Sequence, residues 1–242
     1  MGFRDLFSSA GRSKSKLDKL IRKVEGKYIQ SADRYYAMQQ LIDMGTVPAL
    51  IGVMRRFTIA ASKSIEDEEE KGWLYRKLSG LPPEFILPAA KQFCLDHYNI
   101  AWVLRIVEDL ATDEQEWEII DAILENHPPV YERDPTKKLQ LLTHLQEIDD
   151  PQVAPLIARY LADPDEGVRF RAVEGLIELA DPVTLDAMIA AVVNPDEDSL
   201  RIRNRLLSGF ASLGWDLSAH KDAIKANLGL DFEFDGTHVR AK

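Results

Sequence analysis

The chain has 242 residues, 45% of them hydrophobic and 29% charged, enough for one elongated or two compact domains and too apolar to be disordered throughout. Its net charge of −10 is uneven: residues 1–28 hold eight Lys/Arg against three Asp/Glu, so the rest of the chain stands at −15. An acidic body repels phosphate backbones at long range, which argues against nucleic acid as the main ligand.

Apolar residues recur at spacings of three and four along most of the sequence. This predicts helices near 14–25, 31–44, 46–61, 65–78, 83–97, 99–111, 114–126, 135–148, 151–162, 166–180, 182–193, 198–213 and 218–228. The first places Leu17, Leu20, Ile21 and Val24 on one stripe, flanked by Lys14, Lys16, Lys19, Arg22, Lys23 and Lys27, with Phe3, Leu6 and Phe7 at helical spacing before it. Residues 1–28 read as a basic amphipathic segment that caps the fold, with weak contact to an anionic membrane surface as the alternative.

The densest acidic run, Glu66 to Glu70, opens the fourth helix. Carboxylates are favoured there by the helix dipole, so a solvated first turn is the expected reading and a basic partner the alternative. Cys94, the only cysteine, excludes an intramolecular disulfide and lies in an apolar helical stretch, where a free thiol behaves as a small hydrophobe. The longest apolar run, Ala187 to Val193, has seven residues, far below the roughly 18 needed to span a membrane. A cytoplasmic protein is the expectation.

Five Asx-Pro pairs punctuate the second half: Asp134-Pro135, Asp150-Pro151, Asp163-Pro164, Asp181-Pro182 and Asn194-Pro195. Each predicts an N-cap followed by proline at the first helical position. Between them a twelve-residue pattern occurs twice. Val168-Arg169-x-Arg171-Ala172-x-x-Gly175-Leu176-x-x-Leu179 is followed by Ile202-Arg203-x-Arg205-Leu206-x-x-Gly209-Phe210-x-x-Leu213. Helical repeats of this length cannot bury their apolar faces alone and must stack. The fold class expected is all-α, a right-handed α-solenoid of about six helix pairs over residues 29–229. In the tail, 230–242, Leu230, Phe232 and Phe234 alternate with acidic residues before Asp235-Gly236, which predicts a short strand or hairpin.

Within the first copy, Val168, Ala172, Leu176 and Leu179 form a core-facing stripe. Phe170, Val173 and Ile177 form a second stripe on the far side, with Leu207 at the equivalent of Val173. Either neighbouring helices bury that stripe, or it is a partner-binding patch on the concave face for a helix or peptide.

Asp165-Glu166-Gly167-Val168-Arg169-Phe170-Arg171-Ala172, with Leu176 and Leu179, resembles the second helix of a bacterial HEAT-like repeat, and Pro151 to Ile157 its first helix. Asp33-Arg34-Tyr35-Tyr36-Ala37 is a looser copy, with tyrosines where small or charged residues are usual. The resemblance implies that a turn carboxylate pairs with the Val-Arg arginine of an adjoining repeat, giving Asp165, Arg169 and Arg203 a stacking role. It implies a non-catalytic scaffold or adaptor that binds a protein or peptide. No cofactor or metal is expected: Asn194-x-Asp196-x-Asp198 lacks the glycine and closing glutamate of a calcium loop, and His144-x-x-Glu147 lacks a second histidine. The alternative function is DNA binding or alkylpurine DNA glycosylase activity. Trp117-Glu118-Ile119-Ile120-Asp121 is similar to the Trp-x-x-x-Asp element of HEAT-like glycosylases, and Arg105, Arg133, Lys137 and Lys138 would supply the basic stripe.

Overall fold

A computed structural model describes residues 9–61 and 63–242. The helical spacing of Phe3, Leu6 and Phe7 lies outside the described residues. Thirteen α-helices are present among them: α1 (Ser9–Glu25), α2 (Ser31–Met44), α3 (Val47–Met54), α4 (Ser64–Leu78), α5 (Pro83–Asp96), α6 (Ala101–Leu110), α7 (Asp113–Asn126), α8 (Thr136–Leu145), α9 (Val153–Ala158), α10 (Glu166–Leu179), α11 (Leu185–Val193), α12 (Leu200–Leu213) and α13 (Lys221–Ala226). Each answers to one predicted from apolar spacing. None of these helices is long and apolar enough to cross a membrane.

The chain divides into two compact units, residues 1–126 and 127–242. In the first, helices contact their next-but-one neighbours in two rows, α1–α3–α5–α7 and α2–α4–α6, with α1 against α2, α2 against α3 and α5 against α6 joining the rows. Leu20, Val24, Met38, Leu41, Leu50, Val53, Leu74, Leu78, Phe93 and Cys94 fill the space between them. The second unit repeats the plan, with α8–α10–α12 as one row and α9, α11 and α13 with their flanking 3₁₀ turns as the other. This is the all-α, stacked-helix class that the internal repeat implies.

Three helices are built alike. α2, α10 and α12 each have 14 residues, each carries an arginine at its fourth position (Arg34, Arg169, Arg203), and each ends on a left-handed residue. Those terminal residues are Gly45 (φ 61°), Ala180 (φ 52°) and Gly214 (φ 63°). Their amides return to helix carbonyls, which stops the helix cleanly.

Asp181 is the expected cap, with Pro182 opening a 3₁₀ turn, while the other four Asx-Pro pairs act differently. In all five, the Asx oxygen accepts the amide two residues on: Thr136, Gln152, Asp165, Val183 and Asp196, at 2.9–3.0 Å. Proline fixes φ and removes its own N–H, so the first donor that the side chain meets is the one after it, and a turn forms. Only Pro182 directly opens a helical segment, a 3₁₀ turn. The caps of α10 and α12 are Asp165 and Ser199, whose side chains accept from the amides of Val168 and Ile202.

The tail is the hairpin that its alternation predicts. β1 (Phe232–Phe234) pairs antiparallel with β2 (Val239–Ala241), and Gly236 takes φ 107° in the turn. Asp235 steadies that turn by accepting the amides of Thr237 and His238. Phe232 and Val239 are buried, and β2 lies against α12.

Candidate functional site

The predicted partner-binding stripe faces inward over half its length. Val173 and Leu207 are 0% exposed and belong to the core, while Phe170 and Ile177 are half-buried against α12. The Arg201 guanidinium lies 3.5 Å from the Phe170 ring centroid, and Ile177 fills the space left by Gly209, where a β-carbon would stand 2.5 Å from Ile177 Cδ1. The stripe is therefore the contact between α10 and α12: a helix in the middle of a row packs on its pair and on its row neighbours, so more than one of its sides is apolar.

A line of charged side chains accompanies this contact. Lys138, 1% exposed on α8, bonds Asp163 at 2.7 Å in the turn before α10. Arg169 on α10 donates to the Asp163 carbonyl at 2.9 Å and binds Glu197, in the turn before α12, with two bonds of 2.8 and 3.0 Å. Arg203 on α12 donates to the Asn194 carbonyl at 2.9 Å. Burial pushes the Glu197 carboxyl up, but Arg169 and the Ser199 amide outweigh it and hold it below the usual range. The stacking role foreseen for Asp165 falls to Asp163 and Glu197, because Asp165 spends its carboxylate on capping α10.

Residues 130–207, running from the loop before α8 into α12, match a family model described as HEAT repeats. This segment carries HEAT-like repeats. No curated protein and no solved structure matches the chain. The Arg169–Glu197 bridge lies within this segment and joins α10 to the turn before α12.

The first unit, outside the matched residues, uses the same device. Arg34 binds Glu70 through two bonds of 2.7 Å and also donates to the Gly26 and Ile29 carbonyls. Glu70 is wholly buried and additionally accepts from Arg56 at 2.8 Å and Ser31 at 2.7 Å. Arg56, also wholly buried, reaches Asp67 at 2.5 Å, and Lys71 reaches Asp67 at 2.6 Å. The acidic run is therefore neither a solvated turn nor a bait for a basic partner at these two positions. Burial raises both carboxyls, yet the bonds to Asp67 (Lys71, the Ala61 amide, Arg56) and to Glu70 (Arg34, Ser31, Arg56) leave each below its ordinary value.

Above this charged layer, the α2–α4–α6 row presents a chain of half-exposed aromatic rings. Tyr35 on α2 meets Trp73 on α4 edge-on, with centroids 5.1 Å apart. On the other side of α4, Tyr75 meets Trp102 on α6 at 5.8 Å, and Trp102 stacks on the buried Phe57 at 5.5 Å. Lys77 lies 5.8 Å from the Trp73 centroid, and Arg105 lies 5.1 and 5.4 Å from those of Tyr75 and Trp102. Asp109 accepts the Tyr75 hydroxyl, and that bond together with burial holds Tyr75 above the usual tyrosine range. Tyr36 beside them is 61% exposed.

Gly72 sits on the outer side of α4 between the two aromatic contacts. A β-carbon there would meet only Arg76 Nη1, at 3.5 Å, so no packing constraint calls for a glycine in mid-helix. The sequence did carry a signal for this face: tyrosines at 35 and 36 where the repeat pattern wants small or charged residues, and a tryptophan three residues after the acidic run.

The basic stripe that a DNA-binding role needs is not assembled. Lys137 and Lys138 are 2% and 1% exposed, with Lys138 committed to Asp163. Of the Trp-x-x-x-Asp element, Trp117 is half-buried on α7 and Asp121 is exposed on a helix whose outer face is acidic. The calcium-like loop is a turn in which Asn194 accepts the Asp196 amide and Glu197 holds Arg169.

Proposed function

We propose that this chain is a non-catalytic, cytoplasmic adaptor that holds a protein or peptide partner against the α2–α4–α6 face of its first unit. The observation that carries this reading is the aromatic chain Tyr35, Trp73, Tyr75 and Trp102 with Arg105 and Lys77 beside it. Tryptophan, tyrosine and arginine supply most of the energy at protein interfaces, because they offer large rigid apolar area with a polar tip. Tyr36 adds an aromatic ring in water. Gly72 adds a low point on α4 across which a partner backbone can pass closely.

Helical repeats build surfaces rather than reaction centres, and adaptors based on HEAT repeats use those surfaces to bind other proteins. Val173 and Leu207 are buried and offer no such surface, whereas the first unit presents one. Phe170, with one side free of the core, remains an accessory contact at most.

The test uses cross-linking and mass spectrometry on the full chain in cells to identify the partner, then titration with the purified partner. Tyr36→Ala, Arg105→Glu and Gly72→Leu each alter the face without removing a buried side chain. Each is expected to weaken binding by about tenfold or more, with the melting temperature preserved. Wild-type affinity in all three would overturn the assignment of this face.

A further inference from the structure

Two helices at opposite ends of the first unit's α1–α3–α5–α7 row carry matching stripes of opposite charge. On α1, Lys16, Lys19 and Lys23 follow the spacing i, i+3, i+7 and fall within about 60° on the helix, on the flank beside the buried Leu20 and Val24. Lys16 and Lys19 are exposed, and Lys23 is bonded only at the surface, to Asp33 at 3.0 Å. On α7, Glu118, Asp121 and Glu125 have the same spacing, with Glu114 one turn earlier, again within about 60° and opposite the buried Ile120 and Ile123. All four acids are exposed, and Glu118 reaches Lys91 at 2.6 Å across the surface.

We propose that the lysine stripe of α1 docks on the carboxylate stripe of α7 in a second copy of this chain. Contacts along the row run from α1 to α3, α3 to α5 and α5 to α7, so within one chain the two stripes stand at opposite ends of that row and do not meet. A run of carboxylates at helical spacing complements the basic stripe, and α7 supplies one of equal pitch. An anionic membrane is the less suitable occupant, because the remainder of the chain carries −15 and is repelled from it.

Such a contact joins different patches on the two molecules, so it propagates head to tail. Exposed ion pairs are individually weak and strongly screened, and two molecules of net charge −10 repel at a distance. The association is therefore weak, confined to high protein concentration, and lost in salt. It is independent of the aromatic face on α2–α4–α6, so either proposal can fail without the other.

Sedimentation velocity of the full chain, across a concentration series at about 50 mM and about 500 mM salt, gives the first measurement. A sedimentation coefficient that rises with concentration only at the lower salt is expected. Two charge-reversed proteins give the second: Lys16→Glu/Lys19→Glu/Lys23→Glu, and Glu118→Lys/Asp121→Lys/Glu125→Lys. Each alone should be monomeric, and an equimolar mixture should associate, because each then meets its complement on the other. The milder Lys→Gln triple replaces the first if circular dichroism finds it unfolded. A wild type that stays monomeric at every concentration, variants that still self-associate, or a mixture that stays monomeric would each overturn the proposal. So would lysine-dependent flotation with phosphatidylserine vesicles in the absence of self-association, which would assign the stripe to lipid.

Discussion

Arg34 and Glu70, 36 residues apart, are joined by two parallel hydrogen bonds of 2.7 Å, Nε to Oε2 and Nη2 to Oε1, with Glu70 fully and Arg34 almost fully removed from water. The pair ties the start of α2 to the middle of α4, as Arg169 and Glu197 tie the start of α10 to the turn before α12. Removing one partner of a buried pair strands the other charge in a low dielectric. Glu70→Ala is therefore expected to destabilise the chain by about 3–5 kcal/mol, and Glu197→Ala by less because Arg169 retains some contact with water. Urea unfolding of both variants measures the difference, and equal losses would contradict this ranking.

The same carboxyls set the acid limit of stability. Asp67, Glu70 and Glu197 have folded-state values below their ordinary 3.8, 4.5 and 4.5. A lowered folded value means that the unfolded chain binds protons first, so the contribution is complete above about pH 5 and is lost as pH falls through the folded values. Thermal melts from pH 7 to pH 3 should stay level to about pH 5 and then drop. The Glu70→Gln variant should show a shallower drop than the wild type.

Ala180 occupies the left-handed position that Gly45 and Gly214 occupy in the sister helices. An alanine there holds its β-carbon against backbone. Ala180→Gly should stabilise the fold by about 0.5–1 kcal/mol, since relief of that strain exceeds the extra entropy of glycine in the unfolded chain. A fall in melting temperature on this substitution would show that the α10 end is not strained.

Gly209 and Ile177 fit as a small residue against a large one. Gly209→Ala would place its β-carbon 2.5 Å from Ile177 Cδ1, so it should cost about 1–2 kcal/mol. In an Ile177→Ala background both obstructing carbons, Cδ1 and Cγ1 at 2.5 and 2.7 Å, are gone, and the cost of Gly209→Ala should shrink by half or more. A double-mutant cycle tests this, with additive losses as the contrary result.

Phe170 and Ile177 should also differ in what they tolerate. Phe170 is capped by the Arg201 guanidinium at the edge of the contact, so Phe170→Ala is expected to cost about 1 kcal/mol. Ile177→Glu places a charge between α10 and α12 and should cost about 3 kcal/mol or more. Chemical denaturation of the two single variants decides the order.

The helices were legible because apolar spacing records, locally, which side of each segment avoids water. The hairpin was legible for the same reason, with a period of two and an Asp-Gly turn. Asp181-Pro182 was the cap it was read as, and the other four Asx-Pro pairs marked the boundaries correctly but through a turn, since proline shifts the available amide one residue onward. The second apolar stripe was visible in Phe170, Val173 and Ile177, yet periodicity alone does not distinguish a side facing water from one facing the next repeat. Only the packing of the neighbouring helices puts Val173 and Leu207 in the core.

The sequence by itself determined the class of this protein, a helical repeat array, because stacking requirements are written at fixed spacing within each repeat. The tertiary structure decided which charges meet. Arg34 finds Glu70, Lys138 finds Asp163 and Arg169 finds Glu197 across 25 to 36 residues. Those partners lie in turns and helices whose relative placement follows from the packing of apolar side chains. The same packing brings Tyr35, Trp73, Tyr75 and Trp102 from three helices onto one face, a juxtaposition that no single segment encodes.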